Sequence, residues 1–144
     1  VKIVKASAAD WDDIGCLLID MHSEVGMAEL DLGMMFAAMQ DILDNGVCLL
    51  AIDDSGTAVG TVGLAISDWW YSKDRYLGDK WLYVRPEARA SRAGVALVKA
   101  AKAVAAASGL KLHLAAFAPD LDRKRKLYKR LGFVEAAVYF VAKE

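Results

Sequence analysis

The stretch LYVRPEARASRAGVALVKAAKAVAAASG, residues 82–109, decides how this chain folds. Its apolar start reads as the end of a strand, DKWLYV (79–84), which halts at the Arg85-Pro86 pair. Small and basic residues follow. From about residue 92 apolar side chains recur at helical spacing among many alanines, until Ser108-Gly109 closes the helix. LKLHLAAFA (110–118) then reads as another strand. A strand, a helix and a strand in succession form a crossover. Within one sheet that connection makes its two strands parallel, with a right-handed turn.

The flanking segments supply the rest of the sheet. KIVKA (2–6) reads as a short strand, and Ser7 with Asp10 has the form of a capping box. Behind it Trp11, Ile14, Leu18, Met21 and Val25 recur on one face, predicting a helix over 8 to about 24. A second helix carries Met35, Ala38, Met39 and Ile42 on one face and is expected to end in a left-handed turn at Asn45-Gly46. VCLLAID (47–53) and TAVGTVGLAI (57–66) flank the turn signal DSG and predict a β-hairpin. SDWWYSKDRYLG (67–78) reads as an aromatic loop. Pro119-Asp120 starts a helix over 121–131 that Gly132 stops. FVEAAVYFVAK (133–143) reads as a closing strand, or two split by a bend. The expected fold class is α/β, a mixed and mostly antiparallel central sheet with helices on both faces.

Bulk composition narrows the function. The chain has 144 residues, 56% of them hydrophobic, and reads as one domain spanning 1–144 with enough apolar surface for a core. Eighteen basic and 19 acidic residues leave a net charge of −1, which argues against a general nucleic-acid or membrane-surface binder. With no leader peptide or long apolar span in view, a cytoplasmic location is expected. Cys16 and Cys48 sit in apolar runs and read as two buried free thiols in preference to a disulfide. The two histidines and two cysteines show no metal-ligand spacing, so no metal is expected.

The turn RASRAG (89–94) carries the functional signal. A helix N-terminus presents unpaired N–H groups and partial positive charge, and anions settle there. Ala90, Ser91, Ala93 and Gly94 are small enough to admit a ligand, and Arg89 and Arg92 add positive charge. Neither the Walker pattern nor GxGxxG is present. On chemistry alone the loop is either a phosphate cradle or an ordinary turn with solvated arginines.

The segment Leu82-Tyr83-Val84-Arg85-Pro86-Glu87-Ala88-Arg89, continued by Ala90-Ser91-Arg92-Ala93-Gly94, resembles the acetyl-CoA motif of the GNAT superfamily of N-acyltransferases. Arg92 stands where that motif usually has its first loop glycine. KLYKRLGF (126–133) is similar to the family's second signature, a helix that carries a tyrosine and ends at Leu-Gly-Phe. The resemblance implies a GNAT-like fold whose parallel strand pair splays apart. It also implies acetyl-CoA as co-substrate and transfer of the acetyl group to a primary amine of a small molecule, protein or peptide. The loop Arg89, Ala90, Ser91, Arg92, Ala93, Gly94 would anchor the pyrophosphate. Leu82, Tyr83 and Val84 would face the donor arm from one strand, and Leu114 to Ala116 from the other. Tyr128 would be the general acid for the CoA thiolate, and Asp79 a candidate base for the amine.

The other signals have competing readings. Tyr128 also fits the edge of a core stripe, and His113 reads as a structural histidine within a strand. His22 and Glu24 fall where the family's acceptor pocket is often lined. The run DRKRKLYKR either contacts CoA phosphates or is a solvated helix face. The aromatic loop is a substrate lip, a packed lid or a subunit contact. A non-catalytic acyl-CoA-binding module and a nucleotide binder are the rival functions, and the apolar C-terminal strand is a candidate edge for a homodimer.

Overall fold

The computed structural model describes residues 1–117 and 121–144. Among the described residues five strands form one sheet in sequence order: β1 (Lys2–Lys5), β2 (Val47–Ile52), β3 (Ala58–Asp68), β4 (Arg75–Val84) and β5 (Lys111–His113). The first four pair antiparallel, and β4 and β5 pair parallel. Among the described residues there are four α-helices, α1 (Trp11–Val25), α2 (Leu32–Asn45), α3 (Ala93–Ser108) and α4 (Leu121–Arg130). No helix among the described residues is long and apolar enough to cross a membrane.

Alternation along the strands divides the core into two layers. Cys48, Leu50, Trp81 and Tyr83 point toward α1 and α2, where Ile14, Leu17, Leu18, Met39 and Ile42 cover them. Leu49, Ala51, Val62, Leu64 and Leu77 point the other way, under Ala93, Leu97, Ala101 and Ala105 of α3. The alanines of α3 let that helix lie close on the sheet. Inside the first layer the Trp81 indole N–H donates to Thr61 Oγ1 at 3.2 Å, so the buried polar pair is satisfied.

Several expectations hold, and several need correction. Ser7 and Asp10 form the capping box, although it caps a single 3-10 turn ahead of α1. The hairpin turn at 53–57 is held by Asp53 Oδ1, which accepts the amides of Ser55 and Thr57. Gly46 is not a left-handed stop, since its φ is −117°. A Cβ there would lie 2.2 Å from the Leu64 carbonyl, so glycine is needed for close approach to β3. Gly132 is left-handed, with φ +91°, and stops α4. Half of the expected aromatic loop is strand, because β3 runs on to Asp68 and β4 starts at Arg75. Cys16 is exposed and Cys48 buried, both as free thiols.

The expected strand over 133–143 is absent: residues 133–144 have no regular structure. Phe140 is 91% exposed and Val134 87%. A strand needs a paired neighbour, and β5, three residues long, offers too short an edge to template one. The strand expected over 110–118 is reduced to Lys111–His113 for a reason that defines the site. The expected helix start at Pro119-Asp120 lies outside the described residues.

Candidate active site

The β4–β5 ladder runs from Tyr76↔Lys111 to Gly78↔His113 and stops. Beyond it β4 continues to Val84 while residues 114–117 leave the sheet, so the two segments fork. A bulge marks the place. Gly63 faces Trp81 and Leu64 faces Asp79, leaving Lys80 as the extra residue of β4. Side chains then do what the ladder no longer does. The Ala115 amide donates to Asp79 Oδ1 at 3.1 Å, and the Tyr128 hydroxyl donates to the Ala115 carbonyl at 3.3 Å. The fork is held open by a carboxylate from β4 and a phenol from α4.

A cleft of about 900 Å³ fills the fork. Leu82, Tyr83 and Val84 form one wall, and Ala115 and Phe117 the other. At one end lie Arg89, Ala90, Ser91, Gly94 and Val95, where the loop enters α3. Here the chain folds into a short 3-10 turn at Pro86–Ala88, and Ser91 Oγ accepts the Ala93 amide at 3.2 Å. Among the described residues, the amides of Ala90, Gly94 and Val95 have no backbone partner. Gly94 is not required by packing, since a Cβ there would touch only Val84 Cγ2, at 3.9 Å. The loop thus offers open amides and an empty side-chain position toward the cleft. Arg92 is exposed at the N-cap of α3, Ala93 is fully buried beneath the loop, and neither lines the cleft, nor does Ala116.

The guanidinium of Arg89 turns inward. It donates to the Val84 carbonyl at 3.0 Å, pairs with Glu24 at 2.5 Å and lies 5.7 Å from the Tyr83 ring centre. Glu24 also accepts the Tyr83 hydroxyl at 3.0 Å. Burial, with Glu24 adding to it, pushes the Tyr83 phenol up to about 12. Glu24 therefore ties the end of α1 to the loop, and the sequence contained no spacing that links residues so far apart. Arg123, Lys124, Lys126 and Arg130 of α4 also line the cleft, whereas Arg125 pairs with Asp122 and Glu135. The basic run is thus divided between cleft and surface.

Two groups in the fork have altered acidity. Burial pushes the Asp79 carboxyl up to about 6, against the opposing pull of the Ala115 amide. Burial also drives the Tyr128 phenol well above its ordinary value, and the Asp79 charge adds to that. At neutral pH this places an ionised carboxylate beside a protonated phenol. Met21, Val25 and Met27, from the end of α1 and the segment after it, close the far side of the cleft, where the Tyr139 hydroxyl donates to Met27 Sδ at 3.3 Å. Among the described residues, no group of three or more His, Cys, Asp or Glu is placed to hold a metal ion.

Residues 44–135, well over half of the chain, match the family model described as an acetyltransferase (GNAT) domain. The chain belongs to the GNAT acetyltransferases. The matched segment spans β2 to α4 and so contains the fork, the loop and Tyr128. Solved GNAT-type structures superpose over nearly the whole length. An aminoglycoside 6'-N-acetyltransferase of Acinetobacter haemolyticus has a TM-score of 0.74 at 22% identity, covering 100% of this chain and 99% of its own. A second enzyme of that name class, solved with a CoA bisubstrate analog, has a TM-score of 0.78 at 19% identity, with 99% and 97% covered. A ribosomal-protein-alanine N-acetyltransferase of Brucella melitensis has a TM-score of 0.70 at 21% identity, with full coverage of both. At such identities the likeness establishes the GNAT fold and leaves the acceptor open. No curated protein sequence matches the chain. As a GNAT acetyltransferase it belongs to enzymes whose acetyl donor is acetyl-CoA.

Proposed function

We propose that this chain, acting as one domain over 1–144, transfers the acetyl group of acetyl-CoA to a primary amine of a small molecule, protein or peptide. The observation that carries the reading is the row of open amides at Ala90, Gly94 and Val95, facing a cleft whose inner end holds Asp79 and Tyr128. A pyrophosphate fits that loop: it needs N–H donors and room at the backbone, and the empty side-chain position at Gly94 provides the room. The cationic side chains of α4 supply further charge for phosphate at the mouth of the cleft.

The residues then divide the work. The edge of Leu82 to Val84 has no strand beside it, and apart from the Val84 carbonyl, which Arg89 occupies, it can offer backbone groups to the amide-rich donor arm. Asp79, ionised above about pH 6, accepts the proton that the amine must lose as it attacks the thioester carbonyl. The new C–N bond forms as the C–S bond breaks, and the sulfur leaves with the electron pair. Tyr128 stays protonated and donates a hydrogen bond to that thiolate. Its raised pKa makes complete proton transfer from it uphill, so stabilisation by the hydrogen bond is its main contribution. Arg89 acts by fixing the loop to Glu24, since its guanidinium and its backbone amide are already engaged.

Thermal unfolding with acetyl-CoA, CoA and ATP in parallel tests the donor half. A ligand at a hundred times its Kd stabilises by about 2.7 kcal/mol, which for a domain of this size is a rise of roughly 5–10 °C. A rise with both CoA species and none with ATP is expected. Release of free thiol from acetyl-CoA on addition of an amine tests the transfer, and binding without amine-dependent release would reduce the protein to an acyl-CoA-binding module.

A further inference from the structure

A second cavity, of about 250 Å³, sits at the apex of the fork. Ser67, Tyr76 and Gly78 bound it on one side and His113 and Leu114 on the other, and it shares Asp79 and Ala115 with the main cleft. The Asp79 carboxylate is therefore the partition between the two spaces. The walls are fixed by packing. The Tyr76 and His113 rings stack at 4.1 Å with 18° between planes, and Trp69 packs against both at 5.0 and 5.6 Å. A Cβ at Gly78 would lie 3.2 Å from the Tyr76 ring, so glycine is what lets the ring lie over the strand onto His113.

The polar atoms of these walls are unused. Among the described residues, Ser67 Oγ, the Tyr76 hydroxyl and both His113 ring nitrogens have no protein hydrogen-bond partner. Rigid side chains with spare donors and acceptors around a small space are the usual makings of a specificity pocket. The ring faces and the carboxylate together suit an ammonium group, and the hydroxyls and imidazole suit a second polar group beside it.

We propose that this apex cavity is the acceptor subsite, and that its occupant is a small primary amine bearing a hydroxyl or a second amine close to the reacting nitrogen. The nitrogen lies at Asp79, and the neighbouring polar group bonds Ser67, Tyr76 and His113. A lysine side chain brings its nitrogen on an apolar stem and offers those groups nothing to bind, so the cavity selects against it. The proposal rests on the reading of the main cleft as the acetyl-CoA site.

The test uses the full chain, acetyl-CoA binding by calorimetry, and thiol release with ethanolamine, ethylenediamine, propylamine and a lysine-containing peptide blocked at its N-terminus. Ethanolamine and propylamine have nearly the same shape, so their ratio isolates the polar group. The expected result is a kcat/KM preference of about tenfold or more for ethanolamine and ethylenediamine over propylamine. Ser67→Ala, and His113→Phe with its ring stack retained, should each narrow that ratio by about fivefold while acetyl-CoA binds as in the parent protein. The proposal is overturned if the ratio is near one in the parent protein, if neither variant changes it, if the peptide is the better substrate, or if no amine releases thiol although acetyl-CoA binds. Failure of acetyl-CoA to bind at all is a different outcome: it removes the donor reading, and the acceptor subsite falls with it.

Discussion

Asp79→Asn separates the strap across the fork from the base role proposed for the same carboxylate. Asparagine is nearly the same shape and keeps an Oδ1 that can accept the Ala115 amide, so the tie across the fork survives. What is lost is the ability to ionise. In the folded chain the carboxyl's pKa rises from 3.8 to about 6, with burial as the first cause. A raised value means that the folded state holds its proton more tightly than the unfolded chain. The stability this group contributes is complete below about pH 4 and is lost as pH rises through about 6. The shift corresponds to at most about 3 kcal/mol, and to about 1–2 kcal/mol once partial contact with solvent in the cleft is allowed for.

At pH 8 the asparagine variant should therefore be more stable than the parent by about 1–2 kcal/mol, or roughly 3–6 °C in Tm, and the two should converge near pH 4. Activity should move the other way. Parent kcat/KM should rise with pH through an apparent value near 6, and the variant should lose that limb together with a factor of about 10²–10⁴ in rate. Urea unfolding at pH 4.5 and pH 8, together with a pH–rate profile, reads both arms. A variant that is less stable at pH 8 would refute the burial argument. A retained limb near pH 6 would show that another group takes the amine's proton.

Three further substitutions probe the other parts. Gly94→Ala meets nothing nearer than Val84 Cγ2 at 3.9 Å, so stability should be unchanged or raised by up to about 1 kcal/mol, while acetyl-CoA affinity by calorimetry falls at least about tenfold. Tyr128→Phe should bind acetyl-CoA normally and lower kcat by about tenfold or more in single-turnover thiol release, since it removes the hydroxyl that donates to the Ala115 carbonyl and, in the proposed reaction, to the departing sulfur. Thr61→Val leaves the Trp81 indole N–H without its buried acceptor and should cost about 1–3 kcal/mol in urea unfolding with donor affinity unchanged.

Where the hydrophobic period changed cleanly, the sequence was sufficient. The hairpin around 53–57, the crossover through α3 and the stop at Gly132 are local events, set by turn chemistry and side-chain spacing. The strand-to-helix turn at 89–94 was legible for the same reason, being one contiguous stretch. The misreadings share a cause in pairing. Arg75 to Gly78 looked irregular because their place in β4 depends on β3 opposite them, and the 133–143 segment looked like a strand because its composition suits one, although no long edge accepts it. Gly46 was expected to be special for its dihedral angles, and it is special for a carbonyl 18 residues away in the chain. Asp79 read as the edge of a strand because a bulge at Lys80 leaves no mark in composition. Its acidity and its partnership with Ala115 exist only once the fork has formed.

The fork also explains why stability and chemistry meet at the same atoms. Had β4 and β5 continued their ladder past Gly78 and His113, the Ala115 amide and carbonyl would have been satisfied by strand backbone, and no cleft would exist. Opening the strands leaves two buried-edge backbone groups in need of partners. A carboxylate and a phenol meet that need, and in the proposed reaction the same two groups accept the amine's proton and stabilise the departing negative charge. The desolvation that makes Asp79 a costly strap also brings its acidity near neutrality, where a base works best. Any substitution that restored a continuous β4–β5 ladder would therefore stabilise the sheet and abolish the site together.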